Sequence, residues 1–482
     1  MGISCVAAWL RVAILAAGCM CRMAIAQDSP PSPARVTVSI GNVWMNAEEL
    51  RDFSGQSPAE RRQRLDVILA AHPEAFGAHY LRVEADQDLQ DYLAMIEDSR
   101  AVLADASIDR RLRARVLIMR AEALIQLRRL PEAIAAAGES VDIDDSDARA
   151  LFARGWALYV LDNSQTEKAL ADLDRALQLD PDQGIGYFRR ASVLQAQGKL
   201  DRAAEDFERA LALTPDDAPT HAGYGALALE MKDFQRALAQ YDAALRLTPR
   251  DPVVWASRAE VDLALDRIED AGTDAARAIE LGAAGDDLVN AHALWGLALE
   301  RQMDFDGAAR EYERAVAINA ASPAATLVPR MQWFSGDFAR ALKSMREQLA
   351  STDSDPYAAL GLFIVQVRVE PAGEAAAAAE LAARAPAHRP RVWTDTLVDL
   401  MLNRTTLDAA LAEADAAPTG QLRAGMRCEA DYYTAERLLI RGQEMAATPL
   451  LEEAYWVCPS TYVEARAVVA ERRLLAARSQ SR

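Results

Sequence analysis

The chain has 482 residues, with 53 Lys and Arg against 72 Asp and Glu and a net charge of −19. A surface this acidic repels phosphate backbones and anionic lipid headgroups, which argues against nucleic acid as a partner. Only 6% of the residues are aromatic, while alanine recurs throughout, a composition suited to helices packed at close range.

At the N-terminus, Arg11 precedes a ten-residue apolar run, Val12 to Cys21, that is too short for a membrane span and is closely flanked by Arg11 and Arg22. It reads as a secretory signal, residues 1–26, with two competing processing sites. Ala24-Ile25-Ala26 before Gln27 suits a soluble exported protein. Leu15-Ala16-Ala17-Gly18-Cys19 looks like a lipobox with leucine one place early, which would make Cys19 a lipidated first residue. Either route predicts export to the periplasm, and the second adds a lipid anchor in the outer membrane. Residues 27–56 read as a linker and irregular segment: Ser29 to Pro33 is proline-rich, and Arg35 to Ile40 alternates like a short strand.

Ser57-Pro58-Ala59-Glu60 combines an N-cap serine, a proline at the first helical position and a glutamate that reaches back, which predicts a capping helix within residues 57–75. An array follows over 76–353. Its clearest part is three gapless blocks of 34 residues, 150–183, 184–217 and 218–251. Alanine holds position 20 (Ala169, Ala203, Ala237) and position 27 (Ala176, Ala210, Ala244), and proline holds position 32 (Pro181, Pro215, Pro249). With Leu173, Phe207 or Tyr241 at position 24, these make an apolar stripe at spacings of three and four, the mark of one buried helix face. A shorter helix precedes it, and Gln197-Gly198-Lys199 and Met231-Lys232-Asp233 mark the turns between. Position 8 (Ala157, Ala191, Gly225) faces position 20, and only small side chains let the two backbones approach so closely.

This pattern of small residues at 8, 20 and 27, an aromatic at 17 or 24 and proline at 32 resembles the tetratricopeptide repeat family. The resemblance implies an all-α fold, a right-handed superhelical solenoid of antiparallel helix pairs closed by capping helices, and a role in binding other proteins. A degenerate block fits 76–109 and a clearer one 114–147. Blocks 252–285 and 289–322 continue the register, the latter with Trp295-Gly296, Phe305, Ala308, Tyr312 and Ala315. Block 322–353 carries Pro329 in its first helix, which predicts a distortion. Residues 354–425 keep only pieces of the pattern and read as degenerate repeat-like helices.

A last block recovers the register at 428–461, followed by a capping helix and tail at 462–482; Pro449 is expected to shorten its second helix. If cleavage follows Ala26, the five cysteines fall to two, Cys428 and Cys458, at block positions 1 and 31. The start of a hairpin's first helix lies beside the end of its second, so a disulfide is geometrically open to them, and two free buried thiols are the alternative. Two ligands with no histidine nearby are too few for a metal. The stretches CEADYYTAERLLIRG from Cys428 and LLEEAYWVCPSTYVEARAVVAERRLL from Leu450 also look like the end of NlpI-type bacterial envelope lipoproteins. That likeness implies adaptors that dock peptidases and cell-wall hydrolases.

No zincin, nucleophile-elbow, phosphate-loop or dinucleotide motif occurs, so no catalytic residue, cofactor or metal ligand is assigned. His79, His221 and His292 all fall on block position 4, an apolar site between repeats, and read as packing residues. Asp142 to Asp147 tempts a calcium reading but lacks the glycine and glutamate such a loop needs, so a solvated acidic turn is favoured. What remains is a surface. In the resembling family the concave face is built from positions 2, 5, 9 and 12 of the first helices. Here these are Leu151, Arg154, Leu158 and Leu161, then Ile185, Phe188, Ser192 and Gln195, then Ala222, Ala226 and Leu229, then Val253, Ala256, Glu260 and Leu263. Apolar with sparse charge, this lining suits an extended peptide or a partner's helix, although some of it serves equally well as packing between neighbouring helices. The lysine and asparagine that clamp a C-terminal carboxylate in some relatives are absent. Three readings follow: an exported adaptor for envelope enzymes, a structural part of a polysaccharide export or secretion machine, and an enzyme with an unrecognised site, which the missing motifs disfavour.

Overall fold

The computed structural model describes residues 37–40, 43–46, 53, 55–349, 355–384 and 391–480. The signal segment with Cys19, the proline-rich part of the linker and His388 lie outside the described residues. Two short strands, β1 (Thr37–Ile40) and β2 (Val43–Asn46), pair antiparallel with Ile40 opposite Val43. The Thr37–Ile40 part of the alternating stretch is thus one arm of a ribbon whose second arm the sequence reading leaves out. All other described elements are helical.

The chain divides into two compact units, the first ending at Met231 and the second beginning at Lys232. The first holds α1 (Pro58–Ala71), α2 (Phe76–Leu89), α3 (Tyr92–Ala104), α4 (Arg110–Gln126), α5 (Leu130–Ile143), α6 (Ala148–Leu161), α7 (Thr166–Leu179), α8 (Gly184–Ala196), α9 (Leu200–Leu213) and α10 (Ala218–Glu230). The second begins with α11 (Phe234–Leu247), α12 (Pro252–Ala264), α13 (Ile268–Glu280), α14 (Gly285–Arg301), α15 (Phe305–Ile318), α16 (Val328–Phe334) and α17 (Phe338–Leu349). It continues with α18 (Pro356–Val369), α19 (Glu374–Arg384), α20 (Trp393–Met401), α21 (Leu407–Asp415), α22 (Gly420–Ile440), α23 (Glu444–Val457) and α24 (Val463–Gln480). Within each unit, successive helices pack as antiparallel hairpins stacked on their neighbours.

Local chemistry sets these boundaries. Ser57 and Glu60 form the expected capping box, the Glu60 carboxylate accepting from the Ser57 N–H at 2.8 Å. Aspartates at Asp91, Asp109, Asp147, Asp217, Asp233, Asp251, Asp304 and Asp355 accept from the first-turn N–H groups of the helices they precede. Part of the chain's acidity is therefore spent on helix caps. Block position 15 ends the first helix in the left-handed region at Gln90, Arg128, Gly198, Lys232, Asp266, Met303, Gly336 and Gly442. Packing follows the register: Ala133, Ala169, Ala203, Ala237, Ala271, Ala308 and Ala447 at position 20, and Ala176, Ala210, Ala244, Ala278, Ala315 and Ala454 at position 27, are all sealed from solvent.

Two expectations near the C-terminus meet differences, while the distortion expected at Pro329 is present. The first helix of its block is cut to seven residues, and the proline sits in its opening turn after a 3-10 segment at Pro323–Thr326, where its missing N–H costs nothing. The first helix of the last repeat begins at Gly420, so Cys428 lies inside it and not at its start. Pro449 does not shorten the second helix, which runs from Glu444 to Val457. The carbonyl it leaves unpaired belongs to Met445, which is highly exposed, so the group is open to solvent. Cys428 and Cys458 are joined as a disulfide, with Cα atoms 4.9 Å apart.

Candidate functional site

The first-helix face departs from a simple apolar gutter. In the first unit Leu151 is buried, and Arg154 gives its guanidinium in two 2.7 Å hydrogen bonds to Asp172 on the partner helix of its own hairpin. Phe188 is half-buried, its ring centroid 6.0 Å from Trp156 and 6.1 Å from Phe207, which in turn stacks on Tyr224 at 5.7 Å. Ser192 turns its hydroxyl to the Phe188 carbonyl at 3.0 Å. Leu158, Ala222 and Leu229 are half-buried, and Ile185 and Leu161 are each 44% exposed. In the second unit Ala256 and Leu263 are buried, while Glu260 and Val253 are exposed. Of the residues read as groove, then, Leu151, Phe188 and Ala256 pack between helices, and Ile185, Leu161, Val253 and Glu260 meet solvent.

An ionic device that sequence reading missed joins the repeats. Arg190 in α8 bonds Asp206 in its own hairpin and Asp174 in the preceding one, both at 2.7 Å. Arg82 does the same with Asp98 and Asp66, and Arg258 with Asp274 and Asp242. Each arginine holds block position 7, with an aspartate sixteen residues on either side. That spacing is written in the chain and could have been found there. Position 4 has its own use. The Nε2 atoms of His79 and His221 and the Nε1 of Trp255 meet the carbonyl of the position-32 proline six residues earlier, at 3.0, 2.9 and 3.0 Å. The ring Nδ1 of His292 meets Glu311 at 2.8 Å. The Asp142–Asp147 turn is tied locally, Asp144 accepting from the Ser146 N–H and hydroxyl. Among the described residues no group of three or more His, Cys, Asp or Glu is placed to hold a metal ion, and no helix is long and apolar enough to cross a membrane.

The second unit gathers charge and aromatic rings around α24. This helix does more than end the stack: it lies across the first helices of its unit. Arg466 donates to Glu300 at 2.6 Å, Arg473 donates to the Met303 carbonyl at 2.7 Å, and Leu474 seats against Gly336. Glu471 and Glu436 share the buried guanidinium of Arg368, which stacks over the Phe338 ring at 4.9 Å. At the other end of α24 opens a cleft of about 580 Å³, walled by Trp333, Phe334, Tyr357, Tyr433 and Tyr462. Two carboxylates stand in it, Glu429 from α22, 4% exposed, and Glu464 from the first turn of α24, 7% exposed. Glu429 accepts from the Tyr357 hydroxyl at 3.2 Å and from the Trp393 indole N–H, and Glu464 from the Tyr433 hydroxyl at 3.3 Å. Burial and the neighbouring Glu464 push Glu429 up to about 7. Burial raises Glu464 as well.

Comparison with known proteins bears on the hairpins. Two tetratricopeptide repeat family models match the chain, over residues 154–218 and 194–272. No curated protein matches it. Solved structures similar to it include PilF of Pseudomonas aeruginosa, 18% identical, covering 45% of this chain and 96% of its own, with a TM-score of 0.40. A tetratricopeptide repeat protein of Parabacteroides merdae is 16% identical over 53% of this chain and 98% of its own, also at 0.40. PilW, titled a type IV pilus biogenesis factor, is 17% identical over 45% and 97%, again at 0.40. With 34-residue hairpins, solvent-free alanines at fixed places in each, and family models matching the central blocks, this chain carries tetratricopeptide repeats over residues 154–272.

Proposed function

We propose that the chain is a non-catalytic, exported scaffold of the bacterial envelope, holding a peptide or helix of a partner protein across the first helices of its repeats. The observation that carries this reading is α24: in the second unit the chain's own last helix lies across first helices through Arg466, Glu471 and Leu474, so a helix is a ligand this face accommodates. The first unit leaves Leu161 and Ile185 exposed on the corresponding face. Export is supported by the signal-like residues 1–26 and by the Cys428–Cys458 bond, a linkage favoured by oxidising compartments. The likeness of the C-terminal stretch to NlpI-type lipoproteins points to envelope enzymes as partners.

Capture from envelope extracts tests the groove. Phe188 is unsuitable for mutation because its ring is part of the interior. Leu161→Asp with Ile185→Asp should abolish capture of co-purifying envelope proteins while the melting temperature stays within about 2 °C, since exposed substitutions seldom cost more than ~0.5 kcal/mol. Undiminished capture would remove the groove from the argument.

A further inference from the structure

Most buried carboxylates among the described residues come with an arginine. Asp98, Asp206, Asp274 and Glu300 each have a guanidinium nitrogen within 2.7 Å, and Glu471 has one at 3.1 Å. Glu429 and Glu464 depart from this, as Asp431 does: among the described residues no ion pair within 4.0 Å reaches them, but unlike Asp431 they stand together in one cleft, and their hydrogen bonds come from neutral Tyr and Trp donors. Charge on Glu464 disfavours charge on Glu429, so the ionised pair costs stability wherever nothing positive arrives from outside. Arg330 lines the same cleft and pulls Glu464 down from a longer range, without an ion pair of its own. Trp333, 8% exposed, lines it too, and its indole nitrogen has no acceptor. A second hollow of about 450 Å³ shares the wall formed by Tyr357, Glu429 and Tyr462, so a chain seated in one can run past that wall into the other.

We propose that this cleft binds a polypeptide segment bearing a lysine or arginine side chain, with the side-chain cation received by Glu429 and Glu464 and the backbone laid against the aromatic wall. A hydrated divalent metal fits poorly, since it asks for six or more oxygen ligands and gains nothing from rings. An organic cation gains from both, because tyrosine and tryptophan faces attract it and desolvated carboxylates pair with it. The acceptor-seeking Trp333 nitrogen and Arg330 favour a ligand that also carries carbonyl groups, which a peptide has and a simple amine lacks. The site lies on α16, α18, α22 and the start of α24, apart from Leu161 and Ile185, so loss of groove capture and loss of cleft binding are separate results.

The test uses the full chain and four probes at up to ~10 mM, titrated by calorimetry: the capped tripeptides Gly-Lys-Gly, Gly-Arg-Gly and Gly-norleucine-Gly, and the diamine cadaverine. Lysine and arginine peptides should bind at pH 8, at least tenfold more tightly than the norleucine peptide or cadaverine. Glu429→Gln with Glu464→Gln should weaken them at least tenfold. Binding should also weaken from pH 8 to pH 6 as Glu429 takes up a proton. The charged or titratable groups around it are Glu464 and Tyr462 beside α24, Tyr357 on α18, Tyr433 on its own helix, and Arg330 on α16 at longer range. Without ligand, each single Gln variant should melt higher than the parent at pH 8, because a like-charge pair has been relieved. A carboxylate that only props up the fold would melt lower when replaced. Equal binding of the lysine and norleucine peptides, no binding by either basic peptide, or a lower melting point in Glu429→Gln each overturns the proposal, and cadaverine binding as tightly as the peptides overturns its polypeptide part.

Discussion

The arginine-bridged carboxylates behind the cleft make a quantitative claim about pH. Arg368, Glu436 and Glu471 are all buried, and one guanidinium cannot neutralise two carboxylates. Burial and the adjacent Glu436 push Glu471 up to about 8, against an ordinary value of 4.5. Between those values the folded chain holds a proton that the unfolded chain has already released. Stability therefore falls as pH rises through this window, by about 1.4 kcal/mol per unit, and the loss levels off above about pH 8. Glu471→Gln keeps the shape, offers an N–H where the carboxylic acid offered O–H, and cannot titrate. Between pH 6 and pH 8 the variant should thus gain about 2 to 3 kcal/mol relative to the parent. Urea unfolding of both full chains at pH 6, 7 and 8, followed by tryptophan fluorescence, measures this, and contributions from Glu429 and the other raised carboxylates cancel in the difference. A parent-to-variant gap that stays constant across the three pH values would refute the assignment of a held proton to this site.

Two further outcomes follow from the repeat contacts. Ala203 is sealed between the helices of its hairpin, so Ala203→Leu should cost about 1 to 3 kcal/mol by overpacking; a urea midpoint equal to the parent's would mean that the contact is looser than described. Arg190→Met removes the guanidinium that joins two hairpins and leaves the buried Asp206 without its partner, a loss of about 2 to 4 kcal/mol, of which Arg190→Lys should restore only part because it cannot bind both aspartates in forked geometry; hydrogen exchange in α7 to α9 would localise it, and unchanged protection would argue against the clamp.

What could be read from the sequence was whatever depends on the size of one side chain at one place. Ala169, Ala203 and Ala308 had to be small because a neighbouring backbone occupies the space beyond them, and that requirement recurs every 34 residues or nearly so. The left-handed residue that closes each first helix was harder to see. The backbone demands it at position 15, yet glycine is present there only at Gly198, Gly336 and Gly442, and Arg128 or Met303 tolerates the same φ at a cost of order 1 kcal/mol. One groove position serves two ends: Phe188 has the hydrophobicity of a ligand contact and is half-buried, with Trp156 and Phe207 packed beside its ring. In the last repeat the length of α22 was hidden because Gly420 to Arg427 lies outside the repeat register, where a Thr419 cap and the packing of Met426 against Ala414 and Ala417 extend the helix.

The cleft was unreadable for a different reason. Arg330, Trp333, Tyr357, Glu429 and Glu464 belong to four helices spread over more than a hundred residues, and singly each looks like an ordinary interior ring or a solvated surface charge. Only the fold back of α24 brings Glu464 opposite Glu429. The same helix supplies Glu471 to Arg368, which Glu436 already shares, and Arg466 to Glu300. One element therefore carries three buried carboxylate contacts, two answered by arginine within the chain and one left open beside an aromatic wall. A fold that pairs most of its buried carboxylates with arginine leaves these two to neutral donors. Leaving the pair unanswered lowers the stability of the empty protein and raises what a cation from outside can gain by entering, as a binding site requires.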